Sequence, residues 1–186
     1  EMSQMRVLKH YMHLSQENLG ADETVDIGQG TCTMKYSPKI NDRLAGSPKM
    51  ADLHPRQDEQ TVQGALEIYW KTEQFMKAIS GMDRFSFHPG GGSQAILAIA
   101  TVIRNWVDAN GLTDTKDEII TTIFSHPSNP ACAAIKGFKL ITIYPDKNGR
   151  PDLEAMKAAV NERTAALFIT NPEDIGIYNG DILEFT

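Results

Sequence analysis

Cysteine is scarce in this chain: only Cys32 and Cys132 occur, far apart and without CxxC spacing, which argues against a disulfide scaffold and against a zinc site. A reducing, cytoplasmic setting is the default expectation. No block of basic residues is present, and 24 carboxylates against 18 Lys and Arg leave a net charge of -6. Nucleic acid is therefore not an expected partner, because phosphate-backbone binding needs a basic face. Long apolar runs are missing too. The longest, residues 95–107, is broken by Arg104 and Asn105 and falls short of the ~20 residues that a bilayer span needs, so no membrane association is expected. No signal-peptide pattern opens the chain, and it holds neither internal repeats nor a low-complexity tract.

Residues 30–39, GTCTMKYSPK, follow no core periodicity and read as a polar binding loop. Before it, Met5, Leu8, Tyr11 and Met12 recur at helical spacing and predict a short amphipathic helix over residues 1–15. Residues 20–55 carry Gly, Pro, Asp and Ser at close intervals and read as one long irregular segment. Val62, Leu66, Tyr69, Met76 and Ile79 mark a helix over residues 59–80, which Gly81 is placed to end. Alternating elements follow. The apolar run 95–107 reads as a helix buried nearly all round, and residues 119–124, 139–144 and 165–170 read as strands. A helical turn or two after Pro130 separates the first pair, and a helix through Val160 with Asp152 as its N-cap separates the second. This order predicts an α/β fold with right-handed crossovers, a mostly parallel sheet and helices on both faces. Residues 1–57 are expected to form a helix and extended loop segment, and 58–186 a larger α/β domain.

In such a sheet ligands bind beyond the carboxyl ends of the strands, and unusual residues concentrate there. The first strand runs into Ser125-His126-Pro127-Ser128-Asn129-Pro130 and the third into Thr170-Asn171-Pro172. Each Asn-Pro pair reads either as a plain turn or as part of a site. Gly90-Gly91-Gly92-Ser93-Gln94 precedes the apolar helix, and reads either as a flexible connection with Ser93 as N-cap or as an anion cradle at a helix N-terminus. It lacks the GK[ST] ending of a nucleoside-triphosphate loop. His126 reads either as a packed, hydrogen-bonded residue or as a site residue.

The GTCTMKYSPK run resembles the G-S-C-T-M-K-Y-N-P-K signature of the pyridoxal-phosphate-dependent glycine decarboxylases, the P-protein family of the glycine cleavage system, in particular the second subunit of its two-subunit form. The resemblance continues in order at Leu53-His54-Pro55 with Gln57, at His88-Pro89-Gly90-Gly91-Gly92-Ser93-Gln94, at Ser125-His126 with Asn129-Pro130-Ala131, and at Thr170-Asn171-Pro172 with Gly176-Ile177-Tyr178. It implies a fold-type-I pyridoxal-phosphate transferase domain, incomplete at its carboxyl end. It implies that Gly92, Ser93 and Gln94 hold the phosphate of pyridoxal 5'-phosphate, that His126 lies against the pyridine ring as the catalytic imidazole, and that Asn171 borders the cofactor. Thr33, Lys35 and His54 fall in segments resembling the substrate-side loops.

The activity implied is decarboxylation of glycine, with the aminomethyl group passed to a lipoyl carrier protein, the H-protein, in an oligomer with a companion subunit. The family's Schiff-base lysine and its pyridine-pairing Asp lie beyond the equivalent of Thr186, so the chain reads as an amino-terminal piece, inactive alone. It departs from the family pattern at Gly90 and Ile96, where Asn and Glu are expected, at Pro127-Ser128 for Gly-Thr, and at Glu173-Asp174 for Ser-Thr. The changes at Gly90, Ile96 and Ser128 favour an alternative, a non-catalytic assembly or interaction domain that has lost cofactor chemistry.

Overall fold

A computed structural model describes residues 2–17 and 38–186. Cys32, Thr33 and Lys35, with most of the GTCTMKYSPK run, lie outside the described residues. The described chain falls into two compact units that divide after Phe87, and each is taken by itself.

The first unit is helical: α1 (Gln4–Glu17), α2 (Lys39–Ala45), α3 (Pro48–Ala51), a 3-10 turn at Glu59–Thr61 and α4 (Gln63–Ser80). The segment expected to be irregular thus contains two helices. Elements of seven and four residues are too short to show a period. Their signals are local: Pro48 stands at the first position of α3, where its missing N–H costs nothing. Gly81 ends α4 as the sequence predicts, with φ 73° and its N–H donating to the Lys77 carbonyl. Glu73 accepts the Phe85 N–H at 3.3 Å and pairs with Lys77 at 3.6 Å, while Tyr69 stacks on Phe87, so the chain after α4 folds back along it.

The second unit, His88–Thr186, carries α5 (Gly92–Ala109), β1 (Glu118–Thr122), α6 (Ser128–Ile135), β2 (Lys139–Ile143), α7 (Leu153–Ala159), β3 (Thr164–Phe168) and α8 (Ile182–Phe185). The three strands are parallel in the order β2-β1-β3, with Ile120 opposite Ile141 on one side and Leu167 on the other. Central β1 reads Glu-Ile-Ile-Thr-Thr without alternation because both faces are covered. Ile119 packs with Ala100 of α5, Cys132 and Ala133 of α6, and Phe138. Ile120 packs on the opposite face with Ile143, Met156 of α7 and Phe185 of α8. The chain steps from β1 to β2 through α6, then back past β1 to β3 through α7. Two steps in opposite directions with helices on opposite faces have the same hand.

One expectation is corrected. Helix α5 is not buried nearly all round: Ala100 and Val107 are buried, but Ile99, Val102 and Trp106 are at least half exposed. Apolar residues on every side do not reveal which side has a neighbour. Arg104, which interrupts the apolar run, lies over the Phe138 ring at 3.9 Å and donates to the Lys136 carbonyl, tying α5 to the end of α6.

At the amino edge of the sheet, Asp117 pairs with Lys139 at 3.2 Å and with Arg163, which also holds Glu118 at 3.0 Å. Lys116 donates to the Thr164 carbonyl, so the starts of all three strands are pinned together. Partial burial pushes the Asp117 carboxyl up, but Lys139 and Arg163 outweigh it and hold it below its usual 3.8.

Candidate functional site

The opposite, carboxyl edge carries the polar turns. β1 and β3 are adjacent, with Thr121 opposite Phe168, so the segments that follow them leave the sheet side by side. One hydroxyl joins the two exits. Thr170 Oγ1 accepts the His126 backbone N–H at 3.0 Å, accepts Asn129 Nδ2 at 3.3 Å and lies 3.2 Å from Ser125 Oγ. Asn129 Nδ2 also donates to Ser125 Oγ. Ser125 and Asn129 are buried, and such a network is strongly determining because each polar group left unpaired there would cost more than in water.

His126 is therefore fixed at its backbone by β3. Its ring is fixed locally: Nδ1 accepts the Ser128 N–H at 3.1 Å, and Ser128 Oγ lies 2.7 Å from the same nitrogen. Asn171 occupies the same edge but directs its amide to the loop that follows. Its Oδ1 accepts the Asn179 N–H at 2.9 Å and its Nδ2 donates to the Asn179 carbonyl at 3.3 Å. The Asp174 N–H donates to the Phe124 carbonyl, which lays that loop over the end of β1. Glu173, at a position where the sequence departs from the family pattern, is buried, and neither of its carboxylate oxygens has a hydrogen-bond partner among the described residues.

Helix α5 runs into the connection that starts β1, so its first turn belongs to the carboxyl edge. Cys132 Sγ donates to the Ser93 carbonyl at 3.5 Å, placing that turn beside α6. Gly91, not Ser93, is the N-cap residue, and no side chain caps the helix. Gln94 Oε1 accepts the Gly90 N–H at 2.7 Å and holds the turn closed, while a Cβ at Gly91 or Gly92 would meet nothing within 4 Å. The amides of Gly92, Ser93 and Gln94 have no i−4 carbonyl within the helix and stand at the positive end of its dipole.

In the first unit, His54 shows the same ring geometry as His126: its Nδ1 accepts the Arg56 N–H at 3.1 Å. Gln57 braces the segment, accepting the His54 N–H and donating to Thr61 Oγ1 at 2.8 Å. Among the described residues no cluster of His, Cys, Asp and Glu is placed to hold a metal ion, and no helix is long and apolar enough to cross a membrane.

Sequence reasoning singled out His126, Gly92, Ser93, Gln94 and Asn171, which the fold brings to one edge, but missed Thr170, Ser125, Asn129 and Ser128 as the residues that hold His126. A hydroxyl residue after a buried strand carries no periodic signal. Only the proximity of the exits shows its role.

A parallel sheet with helices on both faces and polar turns at its carboxyl edge is the frame of a large cofactor-binding class, and the family model for aminotransferase class-V matches residues 54–177; the chain belongs to that family. Its relatives are more particular. It is 46% identical over 184 residues to the probable glycine dehydrogenase (decarboxylating) subunit 2 of Thermococcus gammatolerans, and 47% identical to the protein of the same name from Pyrococcus abyssi. Both alignments cover 99% of this chain, which spans 36% of the length of these relatives. The inhibitor-bound crystal structure of glycine decarboxylase, the P-protein of the glycine cleavage system, superposes over the whole chain with a TM-score of 0.68 at 19% identity, covering 40% of that protein. A sphingosine-1-phosphate lyase from Burkholderia pseudomallei superposes over 90% of the chain and 40% of its own length, with a TM-score of 0.56 at 16% identity. These two likenesses establish the fold.

Proposed function

We propose that this chain is part of a pyridoxal-phosphate-dependent glycine dehydrogenase (decarboxylating) of the glycine cleavage system. In the complete protein glycine loses its carboxyl group and the aminomethyl group passes to a lipoyl carrier protein, with a companion subunit in an oligomer. The observation that carries the reading is the convergence of His126, the Thr170 network and the uncapped first turn of α5 at one sheet edge. The fit to the cofactor rests on that turn: open space stands where Gly91 and Gly92 lack side chains, and backbone donors, not the replaced Asn and Glu, would hold the phosphate.

When bound, the cofactor supplies an electron sink for cleavage of the bond to the substrate carboxyl group. The rest is done by the chain. Gly92, Ser93 and Gln94 would hold the phosphate through their backbone N–H groups, and His126 would lie against the pyridine ring. Asn171, which holds the 171–179 loop in place through Asn179, would border the cofactor. His54, whose Nδ1 accepts the Arg56 N–H, would serve the substrate side together with Thr33 and Lys35, as the likeness of their segments to the family's loops suggests. The Schiff-base amine comes from elsewhere in the complete protein. Lys116 and Lys139 are engaged at the opposite edge of the sheet, and Lys157 pairs with Glu154 on α7.

Pyridoxal 5'-phosphate titration of the complete protein, followed by exchange of the glycine carboxyl group with labelled CO2, tests this. Binding with exchange is expected. Binding without exchange of glycine or any other amino acid would favour the assembly-domain alternative that the changes at Gly90 and Ile96 suggest, and loss of both would refute the reading.

A further inference from the structure

The turn His126-Pro127-Ser128 fixes which nitrogen of the His126 ring can carry a hydrogen. A neutral imidazole has one nitrogen with a hydrogen and one with an in-plane lone pair. The Ser128 N–H points at His126 Nδ1, so that nitrogen is the acceptor. The Ser128 hydroxyl lies 2.7 Å from the same nitrogen and, able to donate or accept, follows the arrangement that the backbone N–H sets. A hydrogen on Nδ1 would face the Ser128 N–H directly.

Pro127 prepares this arrangement. Its ring holds φ near the observed −56°, and with ψ −24° the chain turns at once into α6, whose first residue is Ser128. The Ser128 N–H is one of the amides that a helix start leaves without an internal partner, and the His126 ring supplies that partner. The Asn129 N–H donates to the His126 carbonyl at 2.9 Å, and Thr170 Oγ1 takes the His126 N–H, so backbone and ring are held from separate directions.

We infer that the Pro127-Ser128 turn is a tautomer lock. It holds the hydrogen of His126 on Nε2, so that His126 serves as a hydrogen-bond donor to an anionic oxygen of the bound ligand and not as a proton acceptor. Pro127 is in this sense a positioning residue. The ligand-facing half of the inference rests on the function proposed above; the lock itself does not.

The test uses the complete protein with ¹⁵N-labelled histidine rings, observed in alkaline buffer without cofactor, with the His126 signals assigned by their loss in His126→Gln. A hydrogen-bearing Nε2 and a bare Nδ1 are expected. Pro127→Gly, which frees the turn and weakens the Ser128 N–H bond to Nδ1, should raise the ratio of Nδ1–H to Nε2–H several-fold, up to about tenfold, the worth of one neutral hydrogen bond, whereas Ser128→Ala, which keeps the N–H, should leave it near the wild type. A hydrogen on Nδ1 in the wild type, or no change in Pro127→Gly, would overturn the lock. In a second arm, pyridoxal 5'-phosphate affinity should fall roughly tenfold in His126→Phe, which keeps a flat ring and lacks the donor. A His126→Phe protein with unaltered affinity would overturn the donor role while leaving the lock standing. If the wild type bound no cofactor, the proposed function would fail and the tautomer result would be untouched.

Discussion

Replacing Thr170 by valine keeps the shape of the side chain and deletes the hydroxyl that joins the two strand exits. The wild-type hydroxyl accepts the His126 N–H at 3.0 Å, receives a longer bond from Asn129 and lies 3.2 Å from Ser125 Oγ. In the variant Asn129 and Ser125 keep each other. The His126 N–H has no second acceptor, and stranding such a donor in a partly buried site costs about 1–3 kcal/mol. The two weaker interactions add a few tenths, and the new methyl group returns a similar amount, so a net loss of about 2 kcal/mol is expected. That corresponds to roughly 30-fold more frequent opening of the His126 turn, since 1.36 kcal/mol is a factor of ten. Amide exchange followed by mass spectrometry on a peptide spanning residues 124–131 should show this acceleration in Thr170→Val and near wild-type protection in Thr170→Ser. Unchanged exchange in the valine variant would mean that the hydroxyl does not hold the turn, and the structural basis for the site would go with it.

Three further outcomes are expected. Gly92→Ala should leave stability unchanged or raise it by up to ~1 kcal/mol, because alanine suits a helix start and its Cβ meets no protein atom, yet weaken pyridoxal 5'-phosphate binding at least tenfold by filling the phosphate's place; equal affinity in a direct titration would rule out the α5 turn as the cradle. Asp117 has a lowered carboxyl value in the folded protein, so its contribution to stability is complete above the usual 3.8 and is lost as acid takes the pH down through that value and below. Asp117→Asn should lower stability at neutral pH and flatten the acid limb of urea midpoints measured against pH, and an unaltered limb would count against the Lys139 and Arg163 pairing. Borohydride reduction of the cofactor-loaded complete protein, followed by peptide mapping, should label no lysine within residues 1–186; one stoichiometric label there would show that the amine is misassigned.

Much of the second unit was legible from residue order. Three apolar strands of five residues separated by two helices have few arrangements other than a parallel sheet covered on both faces, and the Asp152 cap is a local signal, as is the Gly81 stop in the first unit. The short helices α2 and α3 were not legible, since a helix of one or two turns shows no period. Nor was the exposed side of α5. Ile99, Val102 and Trp106 have the composition of a core stripe, and hydrophobicity does not say whether a neighbour is present.

The sequence by itself determined the elements of the sheet unit, the glycine turn ahead of α5, and the ordered motifs that match the glycine decarboxylase pattern, because each depends on contacts or conformations within a few residues. Only the tertiary structure decided which strand stands in the centre, that Thr170 holds His126 across 44 residues of chain, and that Asn171 turns its amide to Asn179. Those facts depend on groups that meet only once the strands are in register. A hydroxyl gains a partner from another strand at the moment the sheet closes, and no local pattern announces which one.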